Sequence, residues 1–214
     1  MTDPDAHRGA LVAPFQDGSA LPVVPVMTLP DPDDSDAVVT ALARHGFRVI
    51  EVTLRGPSAL RALRRAVAAG DRAGAMVGAG TVCDPQQLRA SLRAGARFAV
   101  SPGFDVELTR QGLASGVPYV PGIATASEAM AARALGARLV KFFPARALGG
   151  PDALRALHGP FPDLRFMPTG GIDSGNLGDY LRLPWVLCCG GSWLVGSDDA
   201  ELARHAAAVR AVLP

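Results

Sequence analysis

The segment Val49-Ile50-Glu51-Val52-Thr53-Leu54-Arg55, continued by Ser58–Ala69, Gly70 and Ala75–Gly78, decides how the rest of the chain is read. Its first run is rich in β-branched residues and alternates with a period of two, the habit of a strand. In its second run Leu60, Leu63 and Val67 recur at helical spacing, while Arg61, Arg64 and Arg65 fall off that face. Gly70 stands where a helix gives way to an αβ loop, and another apolar run follows. The segment is one β-then-α unit leading into the next.

Outward from it the unit repeats. Strand candidates are Val23–Met27, Val49–Leu54, Ala75–Gly78, Phe98–Ser101, Tyr119–Val120, Leu139–Phe143, Arg165–Met167 and Val186–Cys189. Asp84-Pro85-Gln86-Gln87 opens a helix with an N-cap and a proline at the first helical position; Ser127-Glu128 and Pro151-Asp152 open later ones. Gly46, Gly70, Gly95, Gly116 and Gly136 occupy helix C′ positions. Eight such units in about 200 residues fit a compact (β/α)8 TIM barrel. The alternative, a doubly wound open sheet, has fewer strands at this length and no reason for so even a period. Residues 1–21 are expected to form a short helix or arm closing the bottom of the barrel, and residues 22–214 the barrel itself, with no linker or second domain.

Composition narrows the function. The chain has 214 residues, 49% of them hydrophobic and 19% charged, with a formal net charge of +1. These values describe a well-cored soluble protein with no basic block to suggest nucleic acid. No apolar run approaches the roughly 18 residues of a membrane span, and the acidic start Met1-Thr2-Asp3-Pro4-Asp5 does not resemble a signal peptide. Cys83, Cys188 and Cys189 are an odd set with two adjacent members, which reads as reduced thiols in a cytoplasmic protein. Cys188 and Cys189 would point to opposite faces of a strand. His7, His45, His158 and His205 lack metal-ligand spacing and read as helix-end and surface residues, so no metal is expected.

Lys141 is the only lysine; the other 20 basic residues are arginines. It sits in the apolar run Leu139-Val140-Lys141-Phe142-Phe143-Pro144. Arginine stays protonated, whereas a desolvated lysine can lose its proton and attack a carbonyl. A coding bias against lysine with one chance survivor is the competing explanation. In the strand at Val49–Leu54, Glu51, Thr53 and Arg55 share one face. A carboxylate there is costly unless it is paired or used. It is either a structural ion pair with Arg55 or a general acid/base beside an arginine that binds a substrate carboxylate.

Barrel chemistry collects at strand C-termini. Val77-Gly78-Ala79-Gly80-Thr81-Val82 allows close backbone approach, with Thr81 able to bond a ligand. Ser101-Pro102-Gly103 and Pro121-Gly122-Ile123-Ala124-Thr125 read as turns as readily as site loops. Pro168-Thr169-Gly170-Gly171-Ile172 and Gly190-Gly191-Ser192 put glycine pairs after the seventh and eighth strands. There, backbone amides and a short helix N-terminus can hold phosphate, unless both are merely tight turns. Together these parts describe an imine-forming enzyme that acts on a phosphorylated 2-oxo acid without a cofactor.

The ordered motifs Glu51-Val52-Thr53-Leu54-Arg55, Gly78-Ala79-Gly80-Thr81-Val82, Ser101-Pro102-Gly103, Pro121-Gly122-Ile123, Lys141-Phe142-Phe143-Pro144-Ala145, Pro168-Thr169-Gly170-Gly171-Ile172 and Gly190-Gly191-Ser192-Trp193 resemble the 2-keto-3-deoxy-6-phosphogluconate (KDPG) aldolase family, which includes 4-hydroxy-2-oxoglutarate aldolases. The resemblance runs in order from about Val23 to Leu194. It implies a class I, Schiff-base aldolase on a (β/α)8 barrel, a homotrimer of the Entner–Doudoroff pathway. By the same resemblance the imine lysine is Lys141 and the acid/base is Glu51. The pyruvate-carboxylate contacts are Arg55 and Thr81, and the substrate and phosphate contacts are Thr169, Gly170, Gly171, Gly191 and Ser192. The chain departs from the family pattern at Gly56-Pro57, where threonine often follows the arginine, and at Arg146, where an acidic residue is common. Both departures bear on substrate choice; Arg146 either serves a phosphate or second carboxylate or is simply solvated. The rival readings are a galactonate-derived (KDPGal) aldolase, a sugar-phosphate isomerase or epimerase that needs no imine, and a non-catalytic phosphate-binding barrel.

Overall fold

The computed structural model describes residues 4–29 and 31–213, with side chains from residue 9 onward. Helix α1 (Pro4–Gln16) leads into β1 (Val23–Met27), and a 3-10 turn at Pro32–Asp34 runs into α2 (Ser35–Arg44). Then follow β2 (Val49–Thr53), α3 (Ala59–Ala73), β3 (Met76–Gly80), α4 (Pro85–Arg93), β4 (Ala99–Val100) and α5 (Val106–Leu113). The second half holds β5 (Tyr119–Val120), β6 (Gly122–Ile123), α6 (Ala126–Ala134), β7 (Leu139–Phe142), α7 (Gly150–His158), β8 (Arg165–Pro168), α8 (Leu177–Leu181), β9 (Cys189–Gly191) and α9 (Asp199–Ala211). No helix among the described residues is long and apolar enough to cross a membrane.

Every strand pairing among the described residues is parallel. One hydrogen-bonded run has the order β5-β4-β3-β2-β1-β9 and a second the order β6-β7-β8. Only Pro121 separates β5 from β6, and single parallel bridges, Phe166↔Val186 and Thr169↔Gly190, tie β8 to the approach and body of β9. The result is a curled parallel sheet.

Strand alternation divides the core in two. Outward residues such as Ile50, Val52, Val140, Phe142 and Cys189 join helix residues such as Leu42, Leu63 and Ala66 in one cluster. Inward residues Val24, Val49, Val120, Leu139, Met167 and Cys188 form a second, which also receives Leu11 from α1. Cys188 and Cys189 thus face opposite ways, as their adjacency demands. Each fully buried aliphatic side chain contributes about 1.5–3 kcal/mol.

Several boundaries differ from the sequence reading. The fifth strand is split into β5 and β6, because proline at 121 has no N–H for the ladder. The last strand is Cys189–Gly191 rather than Val186–Cys189; it pairs residue by residue with Val23, Val24 and Pro25, so tertiary pairing overrides the weak strand preference of glycine. Helix α3 runs through Gly70 and ends at Gly74, whose φ of 67° is left-handed. Its buried stripe is Ala62, Leu63, Ala66 and Val67, with Leu60 left 39% exposed, since alanines let the helix lie closer to the sheet. The α6 cap is Thr125, in a capping box with Glu128, rather than Ser127. Asp84 caps α4 as expected, accepting from Gln87 N. After β9 there is a turn, not a short helix, before α9. His45 bonds Asp199, His158 stacks on Trp185 and His205 meets the Trp193 ring edge-on; the side chain of His7 and residues 1–3 lie outside the described residues.

Candidate active site

On β7 the alternation puts Leu139 and Lys141 inward, between the outward Val140 and Phe142. Leu139 belongs to the inner apolar cluster, so Lys141 stands one step above an apolar floor. On β2 the same alternation puts Val49 in that floor and Glu51 one step above it. The two strands are not neighbours in either run, so the side chains meet across the space the curled sheet encloses. Lys141 Nζ donates to Glu51 Oε1 at 3.2 Å. Both groups are deeply buried: Lys141 is 4% exposed and Glu51 0%.

Burying two charges costs several kcal/mol per ion, and a single contact recovers little of it unless the other lone pairs are also met. Here they are not: Glu51 Oε2 is buried with no hydrogen-bond partner among the described residues. The Phe143 ring lies with its centroid 5.4 Å from Nζ, and Gly80 lies against the Glu51 side chain. A Cβ on Gly80 would stand 2.0 Å from Glu51 Oε1, so the carboxylate occupies the space that glycine leaves vacant. Beneath, burial pushes the Cys188 thiol far up, and the Glu51 carboxylate adds to that rise, so Cys188 is a neutral packing group.

The other residues expected in the site stand at the C-terminal ends of the strands. Thr81, directly after β3, holds a φ of 57°, the only positive value at a non-glycine among the described residues. Such a conformation in a β-branched residue costs about 1–3 kcal/mol and is characteristic of ligand clamps. Thr53, two residues above Glu51, shares a 2.8 Å hydrogen bond with Thr28. Thr169 is buried, and its hydroxyl fills the space a Cβ on Gly190 would take. The amides of Gly170, Gly171 and Ser192 find no acceptor among the described residues. Gly191 is buried at the end of β9, and Ser192 is exposed beside it.

Arg55 is exposed in the loop beyond β2 and makes no ion pair among the described residues. The Glu51–Arg55 pair weighed from sequence therefore does not form; Lys141 takes that place. Ser101, whose Ser-Pro-Gly motif reads from sequence as a turn as readily as a site loop, is buried; its hydroxyl donates to Gly103 O at 2.8 Å and accepts from Gly122 N at 3.0 Å. Gly122 lies opposite Lys141 in the β6–β7 register, so Ser101 steadies the strand beside the amine. Its Ser-Pro-Gly context gave no sign of that reach.

A buried amine and a carboxylate in contact, one carboxylate oxygen free, below loops with unpaired amides, is an arrangement suited to imine formation with a ketone that bears an anionic tail. Known proteins agree with that chemistry. The family model described as KDPG and KHG aldolase matches residues 18–210. The chain is 47% identical over 173 residues to the 2-dehydro-3-deoxy-phosphogluconate aldolase of Pseudomonas aeruginosa, covering 81% of this chain and 78% of that one. It is also 47% identical over 180 residues to the KHG/KDPG aldolase of Escherichia coli, covering 84% of each. A KDPG aldolase structure from Legionella pneumophila, with pyruvate captured as a covalent carbinolamine intermediate, superposes with a TM-score of 0.83 at 39% identity, covering 100% of this chain and 99% of that one. The chain belongs to the KDPG and KHG aldolase family, the carbon–carbon lyases whose motifs its own sequence carries.

Proposed function

We propose that the protein is a class I aldolase that reversibly cleaves 2-dehydro-3-deoxy-6-phosphogluconate to pyruvate and glyceraldehyde 3-phosphate, and also accepts 4-hydroxy-2-oxoglutarate. The observation that carries this reading is the buried Lys141–Glu51 contact with Glu51 Oε2 left free. Lys141 Nζ adds to the C2 ketone to give a carbinolamine. Glu51 supplies the proton with which the hydroxyl leaves as water, and a protonated imine remains. The C4 hydroxyl proton passes to the Glu51 carboxylate, the C3–C4 bond breaks, and its electron pair moves into the imine to give an enamine. The aldehyde departs, C3 takes up a proton, and water releases pyruvate from Lys141.

Arg55 and Thr81 hold the substrate carboxylate. Thr169 and the amides of Gly170, Gly171, Gly191 and Ser192 hold the distal end, with the phosphate against the unpaired amides. The framework is a closed eight-stranded barrel, in which β5 and β6 count as one strand; the bridge Thr169↔Gly190 supports that closure. Helix α1 and the turn after it close its lower end, a role that Leu11 in the inner cluster supports, and the strands and helices from β1 onward make the barrel. The assembly is a cytoplasmic homotrimer. Met130 on α6, 62% exposed, and Val106 on α5, 47% exposed, are apolar groups that a subunit interface would cover.

The test is release of pyruvate from each acid, followed by its reduction to lactate. The expected result is turnover with a kcat/KM of at least about 10⁴ M⁻¹s⁻¹ on the phosphorylated acid, the low end for a physiological enzyme. Absence of pyruvate from both acids would refute the reading.

A further inference from the structure

Arg146 follows β7 in the loop that leads to α7. Its N–H donates to Gly170 O at 3.0 Å, and that of Ala145 donates to Thr169 O at 2.8 Å. The loops after β7 and β8 thus run side by side, and the Arg146 side chain lies across Gly171. A Cβ on Gly171 would stand 2.6 Å from Arg146 Cβ and 2.9 Å from its Cδ. The φ of Gly171 is 73°, so backbone and neighbour both require glycine there. The packing fixes the stem of the arginine beside the two unpaired amides.

The guanidinium itself is unpaired among the described residues. Arg44, Arg65, Arg72 and Arg97 each pair with an aspartate, whereas the exposed Arg146 side chain has no hydrogen bond or ion pair among the described residues. Amides contribute only partial charges, while a phosphate monoester carries about −1.5 to −2 at neutral pH. A full cation next to the amides of Gly170 and Gly171 matches that charge, and its planar fork suits two phosphate oxygens at once.

We propose that Arg146 is a specificity-determining residue that engages the distal anion of the substrate and favours a phosphorylated over an uncharged aldehyde end. The proposal rests on the aldolase reading, and its test separates the two. Condensation of pyruvate is measured with glyceraldehyde 3-phosphate and with glyceraldehyde, for the parent protein, Arg146→Ala and Arg146→Lys. Arg146→Ala is expected to lower the ratio of the two kcat/KM values by about tenfold, through KM for the phosphorylated aldehyde, as suits one exposed charge-assisted contact. Arg146→Lys recovers part of the ratio, and added salt compresses it in the parent. Arg89→Ala, on the outer face of α4 and bonded to Gln111, leaves the ratio unchanged. An unaltered ratio in Arg146→Ala, or an equal loss with both aldehydes, overturns the role of Arg146. Failure of the parent protein to form a borohydride-trapped pyruvate adduct overturns the aldolase reading itself.

Discussion

Replacing Gly80 by alanine adds one methyl group where the Glu51 side chain lies. The new Cβ would stand 2.0 Å from Oε1 and 2.5 Å from both Cδ and Cγ. Carbon atoms in ordinary contact are about 3.5–4.0 Å apart, so the side chain must retreat by roughly 1–1.5 Å. Glu51 is fully buried, and retreat breaks its 3.2 Å contact with Lys141 Nζ. Overpacking of this kind costs about 1–3 kcal/mol of stability. At roughly 2–4 °C per kcal/mol for a chain of this size, the melting temperature falls by about 2–12 °C. The effect on turnover is larger. A displacement of about 1 Å costs on the order of 10²-fold, which is about 2.7 kcal/mol of activation free energy. The assay is kcat for pyruvate release beside thermal unfolding, with Gly159→Ala as the comparison. A Cβ on Gly159 meets nothing nearer than Ala156 O at 3.7 Å, so that protein keeps its activity. A folded Gly80→Ala protein whose kcat stays within about threefold of the parent would refute the reasoning, because Glu51 would then not need the position it occupies.

Two further outcomes follow from the same geometry. Glu51→Gln removes the proposed proton carrier at nearly constant shape; kcat should fall by about 10²–10⁴-fold while the protein stays folded, and full activity would make Glu51 structural. In a thiol titration at mildly alkaline pH the folded chain should present only Cys83 to a disulfide reagent, because burial pushes the Cys188 and Cys189 thiols well up; all three should react after denaturation. Three fast thiols in the folded protein would contradict the inward and outward packing of that pair.

The strands that bring Glu51 and Lys141 together are legible in the sequence. In β2 and β7 β-branched or apolar residues flank a single charged one, and period two alone puts Glu51 and Lys141 on one face with Val49 and Leu139. The strands that frame the site were less so. β6 and β9 are short and built around glycine, a residue with no strand preference, and their pairing comes from neighbours far away in the chain. Contact between Glu51 and Lys141 crosses the enclosed space over 90 residues of sequence, a distance no local pattern encodes. Gly80 reads as a place of close approach with no partner named until the Glu51 carboxylate is seen beside it, and Ser101 reads as turn or loop until its hydroxyl is seen holding Gly122. From sequence Arg55 has two candidate partners, Glu51 or a substrate carboxylate; among the described residues it makes no ion pair with Glu51 or any other side chain.

Imine formation at Lys141 is the central claim, and mass spectrometry of the intact chain after borohydride reduction with pyruvate tests it most directly. The account predicts one added reduced pyruvate per chain in the parent protein and none in Lys141→Arg, since arginine forms no imine and only the N-terminal amine remains. A folded parent protein that gains no mass, or a Lys141→Arg protein that gains the same mass, would contradict it.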